Sequence, residues 1–373
     1  MRVVLLLSVA LTTAPALEAI PYVVLGRDAT TTQTMRVLAD QPLTSLRYRV
    51  GDGVWTTVEV THQPLPAGGL VVTEGTADRA TPGAVVTWDD GTTVLGSWHT
   101  LRDRLDPPLR VALGGDMMHQ PDLLAATCKA IAKEDPEVAV IGGDWAYDDA
   151  DPAKADRWPT LLATWRTTMV RSDGTGVPIV PVVGNHELKK RLEGTPFAVL
   201  FPEPTTRLVD LGSQVSLVVL NSGHPTPVAD QSNFLEQALA SRRDRPWRFA
   251  TYHVPAYPSV RPHDEPVPTA IRQQWVPRFE SGGVAAVFEN HDHARKRTHP
   301  LLGGVPAPGG VVYLGDGAWG VGLRPTAPLA QRPWIAAAGS DHHAWLVTVG
   351  PTEALARAIG PRGELDRVIL KPR

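Results

Sequence analysis

The chain has 373 residues, of which 43% are hydrophobic and 20% are charged, as in globular proteins with a substantial core. Its formal net charge of −3 shows no excess of basic residues that would attract nucleic acid, so we expect no nucleic-acid-binding surface. The single cysteine, Cys128, excludes an intramolecular disulfide, and its alanine- and leucine-rich surroundings predict a small buried residue. At this length, two domains are expected.

Residues 1–19 have the pattern of a secretory signal peptide. They begin with the basic residue Arg2, continue with an apolar run and end in small residues, so that cleavage is expected after Ala16 or Ala19. A core strand or a short membrane anchor is the alternative, although the run is too short to span a bilayer comfortably. We therefore expect a secreted or periplasmic protein with no membrane span after signal cleavage.

Residues 20–107 have the pattern of a small all-β domain. Apolar and charged residues alternate over 46–50 and again over 58–60, as they do on half-buried strands. Asp90-Gly91 separates the apolar runs AVVTW and TTVLGSW, which predicts a β-hairpin. Short strands without a helical period predict a β-sandwich, and the charged segment 101–108, which ends in two prolines, predicts a linker.

The pattern changes in the second region, 108–373. Strands are predicted at 110–113, 138–141 and 177–183, and helices at 121–134 and 153–169. This alternation predicts an α/β domain with a largely parallel sheet. In such sheets, ligands bind beyond the carboxyl ends of the strands.

Five predicted strands end in side chains that bind metal ions well. The endings are Asp116; Asp144 with Tyr147; Asn185 with His186; His253; and His291 with His293. Asp144 is the candidate bridge, because one carboxylate can ligate two ions, and histidines spaced i, i+2 on an extended segment point the same way. The glycine before each aspartate is expected to let the backbone turn sharply and the ions approach. The pattern predicts a two-metal centre.

These motifs, in this order and spacing, resemble the calcineurin-like metallophosphoesterase superfamily. GDWAY (143–147) resembles the Gly-Asp-x-x-Tyr motif of its purple acid phosphatases. The resemblance implies an αββα four-layer fold for 108–373, in which a β-sandwich is flanked by helices. It also implies that the all-β region at 20–107 is a fibronectin-III-like domain.

The resemblance further implies a metal-dependent phosphoric ester hydrolase with two ions. One site, for Fe³⁺, would consist of Asp116, Asp144, Tyr147 and His293. The other, for Fe²⁺, Zn²⁺ or Mn²⁺, would consist of Asp144, Asn185, His253 and His291. The substrate would be a small-molecule phosphate monoester, attacked in line by a hydroxide held by both ions. His186 would face the phosphate, with His263 as an outer histidine; the family's other outer histidine is Pro262 here.

The sequence departs from the family pattern at three points. Asn290 stands where the family has glycine, Asp292 lies between the two histidines, and His119 ends the first motif. These departures leave open a phosphodiesterase or nucleotide pyrophosphatase of the same superfamily, without purple iron chemistry. An inactive cell-surface binding protein is a further alternative.

Several residues also have simpler interpretations. Asp144 and Asn185 are common after strands as turn residues, and Tyr147 is equally suited to packing. His119 and His263 are interpreted either as outer groups of the site or as polar loop residues. Three further features have no predicted role in catalysis: the charged run 295–297 is expected to be solvated, Asp316 to be a turn residue and His224 to be structural.

Overall fold

The structure is a computed structural model that describes residues 17–66, 68–188 and 191–373. Residues 1–16 of the predicted signal peptide lie outside the described residues. None of the helices in the described part combines the length and the apolar composition that crossing a bilayer requires.

The N-terminal region contains eight strands: β1 (Ile20–Val24), β2 (Gln33–Ala39), β3 (Leu46–Val50), β4 (Thr56–Val58), β5 (Thr61–Pro64), β6 (Val71–Ala77), β7 (Val85–Asp89) and β8 (Val94–His99). One sheet has the order β4-β3-β7-β8, and β7 and β8 form the predicted hairpin around Asp90-Gly91. The strand predicted over 58–60 is wrong. The chain passes there from β4, which pairs with β3, to β5, which pairs with β6 in the other layer.

Three strands and two helices follow: β9 (Leu109–Gly114), α1 (Pro121–Ala132), β10 (Val138–Ile141), α2 (Arg157–Thr168) and β11 (Ile179–Pro181). The strands are parallel neighbours, as predicted. The helix α2 begins four residues later than predicted, because Asp151 caps a separate 3₁₀ turn at Pro152–Lys154.

The remaining helices are α3 (Pro196–Leu200), α4 (Ser232–Ala240), α5 (Pro266–Gln274) and α6 (Val276–Ser281). The remaining strands are β12 (Arg207–Asp210), β13 (Val215–Val219), β14 (Trp247–Thr251), β15 (Ala286–Phe288), β16 (Arg295–Thr298), β17 (Leu301–Leu302), β18 (Val305–Pro306), β19 (Val312–Gly315), β20 (Ile335–Gly339), β21 (Ala344–Val349), β22 (Ala354–Gly360) and β23 (Gly363–Leu370).

Two large sheets face each other in the second region. One has the order β12-β13-β14-β15-β19-β16-β20, and β13, β14, β15 and β19 run parallel. The other has ten strands in the order β23-β22-β21-β9-β10-β11-β1-β2-β6-β5. Because β1 pairs in parallel with β11, through Val24 and Ile179, this second sheet continues into the N-terminal region. The domain boundary at residues 107 and 108 stays a prediction.

Three apolar clusters fill the spaces between the layers. One fills the space between the two sheets, with Val111, Leu217 and Phe249 among its members. A second packs α1 and α2 against the ten-stranded sheet, and a third packs α4, α5 and α6 against the other sheet. Burial on both faces explains why the central strands are continuous apolar runs. The predicted αββα architecture is confirmed.

Candidate metal centre

The predicted metal-binding side chains follow the carboxyl ends of strands in both sheets. Asp116, Asp144 and Asn185 come after β9, β10 and β11, whereas His253 and His291 come after β14 and β15. Hydrogen bonds join the two sets of loops: the His291 amide donates to Asp116 Oδ2 over 2.8 Å. The site therefore lies where the edges of the two sheets meet.

Three of these side chains converge on one point. The Tyr147 hydroxyl lies 2.8 Å from Asp116 Oδ1 and 3.0 Å from His293 Nε2, and the carboxylate and imidazole atoms are 3.0 Å apart. All three residues are at least 95% buried. A phenol oxygen, a carboxylate oxygen and an imidazole nitrogen thus form a nearly equilateral triangle.

A second group forms around Asp144. His253 Nε2 lies 3.0 Å from Asp144 Oδ2 and 3.1 Å from His291 Nδ1. One potential ligand atom from each of these residues lies within 4.8 Å of the others. Asn185 follows Gly184, whose backbone is so close to Asp144 that an added Cβ would lie 2.2 Å from Asp144 Oδ1.

The donor atoms fit bound cations. Adjacent ligands of an octahedral ion with bonds of about 2.1 Å lie about 3.0 Å apart, close to the spacings in both groups. Asn185 Oδ1 is buried without a hydrogen-bond partner among the described residues, whereas Asp144 Oδ2 lies 3.0 Å from His253 Nε2. Buried polar atoms normally have partners, so the Asn185 oxygen indicates a missing ligand.

Hydrogen bonds behind two of the histidines fix which nitrogen faces each group. His253 Nδ1 lies 2.9 Å from the Gly142 carbonyl, and His293 Nδ1 lies 3.1 Å from the Gly322 carbonyl. Because a carbonyl only accepts, both Nδ1 atoms carry the proton and donate it. With a metal bound, each Nε2 would present its lone pair to the ion, as in metal-binding histidines.

The backbone is strained where these side chains are attached. Five of the predicted ligands have positive φ angles, at 57° for Asp116, 54° for Asp144, 53° for Tyr147, 78° for His291 and 58° for His293. Such conformations cost about 1–3 kcal/mol each for residues other than glycine. Their concentration at one place indicates a site whose geometry is maintained for function.

The comparisons with known proteins agree with this geometry. The family model for calcineurin-like phosphoesterases matches residues 109–295, half of the chain. The chain belongs to the calcineurin-like phosphoesterase family. The sequence-based prediction of the superfamily is confirmed. A dinuclear metal site is implied by this family.

Similar proteins include purple acid phosphatases. Purple acid phosphatase 21 of Arabidopsis thaliana is 25% identical over 250 residues, which are 60% of this chain and 54% of that protein. The chain thus spans about half the length of this curated relative. The structure of purple acid phosphatase PPD1 from yellow lupin seeds has a TM-score of 0.76 at 15% identity, covering 94% of this chain and 73% of that one. The structure of PhoD has a TM-score of 0.66 at 13% identity, covering 96% and 90%.

The Asn290 side chain occupies the space that a Cβ atom would need at two glycines of the calcineurin-like motifs. A Cβ at Gly142 would lie 1.9 Å from the Asn290 amide nitrogen, and one at Gly115 would lie 2.8 Å from its amide oxygen. The Asn290 side chain also donates to the Tyr252 carbonyl over 3.1 Å. These glycines therefore make room for the asparagine that departs from the family pattern, a reason that the sequence did not reveal.

Glu187 joins two loops of the calcineurin-like domain that carry candidate metal ligands. Its buried carboxylate accepts the amide N–H groups of Gly184, Asp144 and Trp145 over 2.7–2.8 Å. Burial and the charge of Asp144 raise the pKa of Glu187 to about 8, although the hydrogen bonds from these three amides lower it. Sequence reasoning missed this residue, although its place in Gly-Asn-His-Glu is a signal.

The ionisable groups of the centre influence one another. Burial opposes ionisation of Asp144, but the charge of His253 and a hydrogen bond from it lower the pKa of Asp144 below its usual value. Burial lowers the pKa of His253, but the charges of Asp144 and Asp116 raise it to about 9. Burial and the same His253 hold the pKa of His291 well below normal. Without metal ions, Asp144 and His253 behave as an ion pair.

His186 stands at the opening of the centre. Its side chain is 36% exposed, its Nε2 lies 3.8 Å from Asp144 Oδ2, and its ring centroid is 4.5 Å from that of Tyr147. Its Nδ1 contacts the carboxylate of Asp149, which Lys154 also pairs. Asp149 therefore orients the imidazole so that Nε2 faces the metal-binding residues.

Replacing Asp149 with alanine is expected to lower kcat roughly tenfold or more, because His186 would lose its orientation at the reaction site. The metal content should be unchanged, since Asp149 makes no contact with the two donor groups among the described residues. Steady-state kinetics with metal analysis of the same sample measures both quantities. Lys154→Met, which leaves the contact between His186 and Asp149 in place, is the control; equal losses in the two variants would contradict the orienting role.

His263 and His119 lie in different surroundings. The His263 ring stacks on Trp334 at 4.2 Å, and its contacts among the described residues include none with the predicted metal ligands. Burial and the charges of Arg272 and Arg332 lower the pKa of His263 to about 4. The His119 ring, by contrast, lies 4.4 Å from that of Tyr147, and its Nδ1 accepts the Gly322 amide over 3.0 Å. His119 is therefore an outer group of the centre.

A buried ionic cluster lies beside the His291–His293 segment. Lys296, which the sequence placed on a solvated face, is fully buried, because alternate residues of β16 face the interior. Its ammonium contacts the carboxylate of Glu289, lies 2.6 Å from that of Asp316 and donates to the Tyr257 carbonyl over 2.9 Å. Asp316, expected in a turn, is thus one of its partners. The Lys296 cluster consists of Lys296, Glu289 and Asp316.

The Lys296 cluster and Asp292 connect the His291–His293 segment to the loop after His253. Glu289 accepts from the Tyr252 hydroxyl over 2.6 Å and from the Ala256 amide over 2.7 Å. Asp316 accepts from the Ser259 hydroxyl over 2.7 Å, and Asp292 accepts from the Val260 amide over 2.7 Å. Asp292, between the two histidines, therefore binds the backbone of this loop.

Proposed function

We propose that this chain is a binuclear-metal phosphoesterase that hydrolyses phosphate monoesters. The proposal rests mainly on one observation: two groups of metal-competent side chains stand at strand ends, and the buried amide oxygen of Asn185 has no partner among the described residues. Family membership and the similarity to purple acid phosphatases support the same chemistry.

The two groups of donors suit different ions. Asp116, Tyr147 and His293, with Asp144, form a set in which the phenol and carboxylate oxygens favour Fe³⁺. Asn185, His253 and His291, with Asp144, form a set that suits Fe²⁺, Zn²⁺ or Mn²⁺. When bound, such ions lower the pKa of water and offset the charge that develops on the phosphate.

The side chains around the ions would bind and orient the substrate. His186, which is partly exposed and contacts Asp149, would hydrogen-bond a phosphate oxygen or give a proton to the departing alkoxide. The Asn185 amide would supply a further contact to the phosphate. The N-terminal sequence pattern supports export, so the substrate would be a phosphate ester outside the cytoplasm.

The first experiment measures the metals and the visible absorption spectrum of the purified protein, followed by hydrolysis of p-nitrophenyl phosphate and bis-p-nitrophenyl phosphate. We expect about two metal equivalents, one of them iron, and preference for the monoester. Preference for the diester would favour the phosphodiesterase alternative. Failure to retain metals or to hydrolyse either ester after addition of iron, zinc or manganese would favour an inactive binding protein.

Replacing Tyr147 with phenylalanine is expected to abolish a visible charge-transfer band, because only a phenolate oxygen can give that transition with Fe³⁺. Iron binding should weaken by about tenfold or more, since three protein donors remain for that ion. Absorption spectroscopy and metal analysis of both proteins test this. If the phenylalanine variant keeps the same band, Tyr147 is not the ligand.

A further inference from the structure

His224 occupies a loop beside the metal-binding residues. This loop follows β13, which is the parallel neighbour of β14, and His253 follows β14. The two loops are in contact, because the Val254 amide donates to Ser222 Oγ over 2.8 Å. His224, two residues after Ser222, therefore lies at the same carboxyl edge as His253.

The imidazole of His224 is half-buried and incompletely paired. Its Nδ1 is buried without a hydrogen-bond partner among the described residues. Burial and the charge of His253 lower the pKa of His224, whereas Asp144 and the Ser222 carbonyl oppose this effect. A buried polar atom without a partner needs an explanation, and a role at the adjacent centre supplies one.

His224 and His186 approach the centre from different sheets. His186 follows β11 and packs against Tyr147, whereas His224 follows β13 in a loop that contacts the residue after His253. His263, the outer histidine implied by the family resemblance, stacks on Trp334 beside Arg332. A further imidazole beside this centre thus comes from a segment to which the sequence motifs assigned no role.

We propose that His224 is a catalytic residue that donates a hydrogen bond to the substrate phosphate from the His253 side, a role that rests on the proposed phosphoesterase function. His186 would contact the same phosphate from the Tyr147 side. Two donors on opposite sides would hold the phosphate between the two sheets. A preorganised donor of this kind contributes about two orders of magnitude to the rate.

The test compares His224→Asn, His263→Asn and the control His299→Asn, which changes an exposed histidine after β16. Each metal-loaded protein is assayed for kcat/KM on p-nitrophenyl phosphate and for competitive inhibition by inorganic phosphate. His224→Asn should lose roughly ten- to a hundredfold in kcat/KM and bind inorganic phosphate correspondingly more weakly. Its metal content and thermal unfolding should match those of the wild type.

The outcomes separate this role from the proposed function. An active wild type with an unimpaired His224→Asn variant would overturn the role of His224 alone, as would a loss confined to His263→Asn. Loss of metal in His224→Asn would also overturn it, because the effect would then be on the centre and not on the phosphate. Lack of hydrolysis by the wild type would contradict the phosphoesterase function, whereas phosphate binding would still report on His224.

Discussion

Replacing Asp144 with asparagine is expected to reduce phosphate ester hydrolysis by roughly a thousandfold or more. Asp144 is 99% buried, and its Oδ2 lies 3.0 Å from His253 Nε2 in one of the two donor groups. The substitution keeps the shape but removes the negative charge and one of two oxygen ligands between the donor groups. An amide nitrogen does not ligate a cation, so the ion that loses its oxygen should be lost or bound weakly.

Asp148→Asn is the matched control for Asp144→Asn. Asp148 is also 99% buried, but it accepts from Trp158 Nε1 over 3.0 Å and does not belong to either donor group. Burial raises the pKa of Asp148, so an uncharged amide resembles its native state more closely. We expect two metals and nearly normal turnover in the control. Wild-type turnover in Asp144→Asn would show that Asp144 does not bridge the ions.

The clustering of the candidate metal donors was predictable because they stand soon after apolar strands. Asp116, Asp144 and His253 follow runs whose parallel arrangement is evident from the βα alternation, and parallel strands bring their carboxyl ends to one edge. The αββα layers were implied by the family resemblance, whereas the alternation predicted only an α/β domain with a largely parallel sheet. The local pattern also revealed the β7–β8 hairpin, since Asp-Gly between alternating runs is specific.

Features that depend on long-range packing were not predictable in the same way. The sequence predicted that Lys296 is solvated, because nothing in the sequence shows that Glu289 and Asp316, which turns and strands separate from it, are its partners. The role of His263 was carried over from a motif and stays a prediction, because a motif does not determine which way a loop side chain turns. The position of His224 was not predictable from its motif either, because its loop lies beside the loop of His253 only through the pairing of β13 with β14.

Replacing Lys296 with methionine is expected to lower the free energy of unfolding by about 3–5 kcal/mol, because two buried carboxylates would lose their cation. The native contacts with Glu289 and Asp316 involve atoms with no solvent exposure. The loop after His253 depends on the same carboxylates, so weaker binding of the divalent ion should accompany the loss of stability. Urea unfolding of the metal-loaded protein measures the first effect, and metal analysis measures the second.

Lys371→Met is the control, because Lys371 forms a surface pair with Glu353 in which both side chains are more than half exposed. Removing such a pair costs about 0–1 kcal/mol. The two variants should also differ in their pH dependence.

Burial already raises the pKa of Asp316 well above normal, against the attraction of Lys296, and removing the lysine would raise it further. A carboxyl group whose pKa is higher in the folded state binds more protons there, so stability falls as the pH rises above its unfolded pKa. The deficit of Lys296→Met should therefore be larger at about pH 8 than at about pH 5. A deficit that is independent of pH, or no larger than that of Lys371→Met, would mean that the buried carboxylates do not depend on Lys296 for their charge.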